Sequence, residues 1–211
     1  MQKIISIEKI KTEKILEVHT GSVNCLLKLD NKRFASGSWD HTIIIWNSNK
    51  FECEKIVKGH AGDIPCILKI DSNTFATGSS DNTIRIWNSN NFECLKVLKD
   101  HTGTVHCLLK LDTLKFASGS SDNTIRIWNL NNFQNEIILR DHNGAVHCLL
   151  KLDNNTFASG SWDKTIRIWN SNNFECVRIL EGHTGTVYCL LNLDNNIFAS
   201  GSSDKKIRIW N

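Results

Sequence analysis

The sequence predicts an all-β chain folded as a β-propeller of five four-stranded antiparallel blades, and three observations predict it. His19, His60, His101, His142 and His183 recur every 41 residues, and Asp40, Asp81, Asp122, Asp163 and Asp204 keep the same period. Trp46, Trp87, Trp128, Trp169 and Trp210 form a third series in step with them. A repeat of about 40 to 45 residues is the length of a propeller blade. Inside each repeat, short apolar or β-branched runs alternate with Asn- and Asp-rich turns, and apolar residues nowhere keep a helical spacing.

The third repeat shows how each element is read. Val105 to Leu111 is a short apolar strand, and Asp112-Thr-Leu-Lys is a polar turn. Phe116-Ala-Ser-Gly-Ser is a second strand, whose small residues allow a neighbour to approach closely. Ser121-Asp-Asn-Thr is a tight turn, with Asn123 suited to the left-handed conformation. Ile125-Arg-Ile-Trp is a β-branched third strand. Asn129-Leu-Asn-Asn turns the chain again, and Phe133 to Leu139 is the fourth strand. One such unit buries too little alone, so the units must stack on one another.

The repeats cover residues 13–47, 54–88, 95–129, 136–170 and 177–211 of a single domain, 1–211. The segment Glu13-Lys-Ile-Leu-Glu-Val matches a fourth strand such as Glu54-Lys-Ile-Val-Lys-Gly, while the last repeat stops at the end of its third strand, Trp210-Asn211. The expectation is a ring closed by the N-terminal strand pairing with the last blade, in a monomer. Radial repetition of this kind leaves only short sheet edges.

Composition narrows the function. Hydrophobic residues make up 40% and charged residues 22%, an ordinary globular balance. A net charge of +3 is too small for a nucleic-acid footprint. No apolar run approaches the roughly 18 residues of a membrane span, and the apolar stretch after Met1 is too short for a secretory signal. Five of the eight cysteines (Cys25, Cys66, Cys107, Cys148, Cys189) share one repeat position, and Cys53, Cys94 and Cys176 share another. No C-x-x-C pair occurs, so they read as small buried hydrophobes with free thiols and not as metal ligands. No cofactor or metal is expected, and the compartment expected is the cytoplasm or the nucleus.

Each repeat resembles the WD-repeat family in its Gly-His, Ser-Gly-Ser-x-Asp-x-Thr and tryptophan motif, as in Gly182-His183, Ser159-Gly-Ser-Trp-Asp163-Lys-Thr165 and Trp169-Asn170. The dipeptide after the third strand is Trp-Asn throughout, where the family has Trp-Asp, and only His60 and His183 follow glycine. Five repeats are also fewer than the seven usual in that family. The resemblance implies a hydrogen-bonded quartet in each blade. The quartets are His19, Ser36, Asp40 and Trp46; His60, Thr77, Asp81 and Trp87; His101, Ser118, Asp122 and Trp128; His142, Ser159, Asp163 and Trp169; and His183, Ser200, Asp204 and Trp210. Five copies of Asp, His and Ser, each with its own tryptophan, argue for structure. A catalytic triad needs one exposed nucleophile and an oxyanion hole. The chain is therefore not read as an enzyme.

The resemblance also implies a binding face around the channel mouth, and the repeats differ most at the positions it would present. Five residues after the quartet histidine stand Asn24, Pro65, His106, His147 and Tyr188. Three after it stand Ser22, Asp63, Thr104, Ala145 and Thr186, and just before the aspartate stand Trp39, Ser80, Ser121, Trp162 and Ser203. The candidate site is Asn24, Trp39, Asp63, Pro65, His106, His147, Trp162 and Tyr188. Trp and Tyr lead there because they are enriched at binding hot spots. Unperturbed, its histidines would titrate near pH 6.5 and make binding pH-dependent. Arg85, Arg126, Arg167 and Arg208, two residues before their tryptophans, either pack their stems between blades or form an anion-binding ring.

A protein- or peptide-binding scaffold or adaptor is the first reading. The short first hairpin looks most like the propellers of F-box/WD-repeat substrate receptors, which suggests a ubiquitin-ligase recognition subunit as an alternative. No F-box precedes the repeats, however, and none of the fifteen rim positions above carries an arginine to read phosphate. A lectin-like carbohydrate binder is the other alternative, although tryptophan occupies the rim in only two repeats, at Trp39 and Trp162.

Overall fold

A computed structural model describes residues 14–194 and 197–211, and every regular element among them is a strand. The first sheet holds β1 (Val23–Lys28), β2 (Arg33–Ser38), β3 (Ile43–Asn47) and β4 (Glu52–Val57). The second holds β5 (Cys66–Lys69), β6 (Thr74–Gly78), β7 (Ile84–Asn88) and β8 (Cys94–Leu98). The third holds β9 (Val105–Lys110), β10 (Lys115–Ser120), β11 (Ile125–Asn129) and β12 (Asn135–Leu139). The fourth holds β13 (Val146–Lys151), β14 (Thr156–Ser161), β15 (Ile166–Asn170) and β16 (Cys176–Leu180). The fifth holds β17 (Val187–Asp194), β18 (Ile197–Ser202) and β19 (Ile207–Trp210). Each sheet is an antiparallel meander in chain order, and the first strands β1, β5, β9, β13 and β17 touch one after another. The sheets are therefore blades, with their first strands inward and their fourth strands outward.

The turns do what their residues allow. The residue after each quartet aspartate has positive φ: 67° at Asn82 and 68° at Asn123, but also 66° at His41 and 72° at Lys164. Asn accepts this region most easily, yet the surrounding aspartate cage imposes it on His and Lys as well. A second set was not anticipated. Phe51, Phe92, Phe133 and Phe174, in the turns before the fourth strands, all have φ between 55° and 64°. The rings of Phe92, Phe133 and Phe174 pack in the seam with the blade before, whereas Phe51 adopts the same conformation with its ring exposed. Phe174 is buried against Leu111, Ala117 and Ile127 of the blade before it.

Blade-to-blade packing forms the core, and one unit repeats four times. The trailing face of a blade offers its Ile-x-Ile third strand and the alanine and glycine of its second. The next blade inserts a β-branched residue, a phenylalanine and a tryptophan, as Val105, Phe116 and Trp128 do against Ala76, Ile84 and Ile86. Phe116 and Trp128 stack at 6.0 Å. Burying a side chain such as Phe116 contributes roughly 1.5–3 kcal/mol. The expected close approach occurs at the glycines, where a Cβ on Gly119 would lie 2.6 Å from Val146 Cγ1. The recurring cysteine lies in the same seam, Cys25 Sγ donating to the Ile64 carbonyl at 3.4 Å.

Two parts of the expected ring are not seen among the described residues. The fifth sheet has three strands among the described residues, and no sheet there joins it to the first blade, so the expected closure is not seen among them. Ile207 on the trailing face of blade five is 76% exposed where its equivalent Ile125 is 1% exposed, and Val23 on the leading face of blade one is exposed where Val105 is buried. Residues 14–22 run beside blade one without forming a strand before Val23. The part of the expected closing strand at residue 13 lies outside the described residues.

Candidate binding rim

The quartets lie beneath the rim and set its shape. In every blade the histidine Nε2 lies 2.7 Å from the Ser or Thr oxygen, and the tryptophan Nε1–H donates to that same oxygen at 2.8 Å. The histidine Nδ1 lies 2.6–2.7 Å from the aspartate Oδ2. One proton arrangement satisfies all of these. Nδ1–H donates to the carboxylate, and the hydroxyl donates to Nε2 while accepting from the indole.

Burial supports that arrangement. It lowers the pKa of the His60 and His101 imidazoles despite their aspartate partners, so the rings are neutral. Burial works against the charge on Asp122, but donors from His101, Thr124 and the Thr102 amide outweigh it and hold the carboxyl far below the usual carboxylate range. No quartet histidine faces an exposed hydroxyl nucleophile, because each Ser or Thr oxygen is buried under its own indole.

Two supporting groups were missed in the sequence, although the repeat contains them. Thr42, Thr83, Thr124 and Thr165 donate their hydroxyls to the aspartate Oδ1 at 2.6–2.7 Å. The second serine of Ser-Gly-Ser accepts from the aspartate amide, as Ser120 does from Asp122 at 3.1 Å. Lys206 takes the threonine position in blade five, and Asp204 is lowered only to about 2 there: burial opposes the shift, and His183 leads the donors.

Above the quartets, two rim positions are joined in each blade by one main-chain hydrogen bond. The amide before the aspartate donates to the carbonyl three after the histidine, as in Trp39 to Ser22 and Trp162 to Ala145, both 2.9 Å. The third position is set by a device that the sequence did not reveal. In β9, Val105 pairs with Ser120 and Cys107 with Gly119, which leaves His106 as the extra residue of a β-bulge. Asn24, His147 and Tyr188 occupy the same bulge in β1, β13 and β17. A bulge re-aims its side chain out of the pleat. Pro65, which cannot donate to a ladder, precedes β5 and no bulge forms.

The bulges bring three of the candidate residues together. The rings of His106 and His147 are 4.6 Å apart, and those of His147 and Tyr188 are 5.1 Å apart and edge-on, so one aromatic row crosses blades three to five. His106 Nε2 also lies 2.7 Å from Ser121 Oγ. Trp39 is 57% exposed, Trp162 63% and Tyr188 55%. No ring contact joins Trp39 or Trp162 to the row among the described residues. Asn24 is exposed, Pro65 is half-buried, and Asp63 faces His41 at 3.6 Å. The expected titration near neutrality does not hold for His106. Burial, with the neighbouring His147 adding to it, lowers its pKa to about 4, and burial lowers His147 too.

The arginine series packs within the blades. The Nε atoms of Arg85, Arg126, Arg167 and Arg208 are buried. Arg208 donates to the Gly182 carbonyl at 2.7 Å, and Arg167 points at Cys176 Sγ at 3.7 Å. Arg126 is 8% exposed. These geometries favour packed stems over an anion ring. No cluster of three or more His, Cys, Asp or Glu able to hold a metal occurs among the described residues.

A family model described as "WD domain, G-beta repeat" matches the chain five times, at residues 10–47, 51–88, 92–129, 133–170 and 174–211. No curated protein matches it.

Proposed function

We propose, for a chain that belongs to the WD domain, G-beta repeat family, that it is a non-catalytic scaffold binding a protein or peptide partner on its rim. WD repeats generally serve as protein-interaction scaffolds. The observation that carries the reading is the His106–His147–Tyr188 row, presented by bulges in successive blades, together with the exposed indole of Trp162. Exposed indoles above a rigid hydrogen-bonded frame suit a binding site, since rigid aromatic anchors lose little entropy on binding. The thiols support a reducing compartment, because Cys25, Cys66, Cys107 and Cys148 each act as hydrogen-bond donors across a seam.

The test is selection of peptides from a random library on the intact protein, followed by NMR mapping of the tightest binder. The reading expects the ring signals of His106, His147, Trp162 and Tyr188 to shift. Shifts confined to the outer strands β4, β8, β12 and β16 would place binding elsewhere and overturn it.

A further inference from the structure

We propose that the groove between blades two and three binds a small soluble phosphate monoester. The site lies on the blade edges and is separate from the rim. It arises where the repeat departs from itself. The turn into the fourth strand reads Phe51-Glu52-Cys53, Phe92-Glu93-Cys94 and Phe174-Glu175-Cys176 in blades one, two and four, but Phe133-Gln134-Asn135 in blade three. A carboxylate and a thiol are exchanged there for two neutral amides at adjacent positions.

Those amides line a cavity of about 340 Å³, with Phe133 beside them and with Lys96, Lys99 and Asp100 of blade two as the other wall. Asn135 is half-buried. With its amide turned so that both atoms are bonded, its oxygen accepts from Arg126 Nη1 at 2.5 Å and its nitrogen donates to the Ile137 carbonyl at 2.9 Å. In blades two and four the matching arginines reach only sulfur, Arg85 at 3.9 Å from Cys94 Sγ and Arg167 at 3.7 Å from Cys176 Sγ. An oxygen acceptor therefore fixes the buried Arg126 guanidinium behind this wall.

The positive charge here is not neutralised by the protein. Of the lysines and arginines among the described residues, only Arg33 and Lys115 pair with carboxylates, so Lys96, Lys99 and Arg126 do not. Lys96 gives one proton to the Asn132 carbonyl at 2.8 Å, which leaves two to donate, and Lys99 is exposed. Asp100 is the one acid in the lining, since Glu136 is turned to Asn129 and Lys115. Between blades one and two, Lys55 and Lys58 hold the same two places, but blade two supplies Glu93 opposite them. Between blades three and four, Ile137 replaces the first lysine and Glu175 returns. Of these three grooves, only the middle one sets two lysines against uncharged donors.

Ammonium, guanidinium and amide N–H groups all donate, and phosphate answers them with charged acceptor oxygens. A cavity of this size, at the lower end of the roughly 300–1,000 Å³ of ligand pockets, has room for the phosphate and for the group it esterifies. Leu98 and Phe133 give that group an apolar surface. A soluble ester is favoured over a membrane headgroup because Asp100 and Glu136 stand exposed on the two walls' strands, where a broad anionic surface would meet them.

The experiment is calorimetric titration of the intact protein with inorganic phosphate, with phenyl phosphate and with vesicles containing phosphatidic acid. Phenyl phosphate is expected to bind saturably and more tightly than inorganic phosphate. Gln134→Glu combined with Asn135→Cys restores the pair that blades one, two and four carry, so the fold is kept. That variant and Lys99→Glu are each expected to weaken binding at least about tenfold with Tm unchanged, and Lys58→Glu in the neighbouring groove to leave it as it was. The absence of saturable binding would overturn the proposal, as would inorganic phosphate binding as tightly as the ester. Binding that survives both groove variants, or that falls equally with Lys58→Glu, would overturn it in favour of a general cationic attraction. Binding to the vesicles alone would overturn it in favour of a membrane surface.

Discussion

His106 and His147 lie 4.6 Å apart, ring to ring, because a β-bulge in each of two neighbouring blades turns the same repeat position out of its ladder. Two imidazoles this close, and half-buried, cannot both take up protons easily. The His106 ring, followed by NMR, is expected to titrate with a midpoint at about 4. Rim binding should therefore be insensitive to His106 between about pH 5 and pH 8. A midpoint near the ordinary 6.5 would mean that the two rings are separated in solution.

Removing a quartet carboxylate strands a buried imidazole donor. Asp122→Ala is expected to cost about 1–3 kcal/mol in urea unfolding, because His101 Nδ1 and Thr124 lose their acceptor together. An unchanged unfolding midpoint would contradict the bonded assignment.

Acid should unfold the protein, and both residue types of the quartet act in the same direction. Unfolded histidine takes a proton near 6.5, while His60 and His101 resist it in the fold, so the unfolded state binds more protons and stability falls as pH drops below that point. Asp81, Asp122 and Asp163 stay ionised in the fold well below the unfolded value of 3.8, so their contribution is present above that value and is lost further down. Urea midpoints should thus decline from about pH 7 to 5 and more steeply below about pH 4. A midpoint that rose on acidification would refute the neutral-histidine arrangement.

The glycine notches separate the inner seams from the open end. Gly119→Ala places a methyl 2.6 Å from Val146 Cγ1 and is expected to cost about 1–3 kcal/mol by overpacking. Gly201→Ala, which meets no neighbouring blade, should cost clearly less in a dilute monomer. Equal losses in thermal melts would show that the fifth trailing face is covered.

The frame of this protein was legible in its sequence because each quartet member recurs at a fixed interval, and Asn123 sits in the turn conformation that its side chain favours. The rim was legible only as a set of variable positions. The bulges that aim His106 and Tyr188 arise from the register of β9 against β10 and of β17 against β18, and no single residue type announces such a shift. Phe174 in a left-handed turn was missed for the opposite reason, since propensity argues against it and packing on the preceding blade outweighs propensity. Closure was expected from the matching phase of the two ends. Phase alone carries no information about the angle between successive blades.

The measurement that bears most directly on the rim is calorimetry of a library-selected peptide on the intact protein and on Trp39→Ala, Trp162→Ala and Leu95→Ala. Trp39 and Trp162 stand exposed on the rim, while Leu95 is an exposed apolar residue on the outer strand β8. At least one tryptophan variant is expected to lose about 1–2 kcal/mol of binding, or roughly tenfold in Kd, with Tm unchanged, and Leu95→Ala to bind like the wild type. Tryptophan variants that bind at full strength while Leu95→Ala does not would contradict the account and move the working surface to the outer strands.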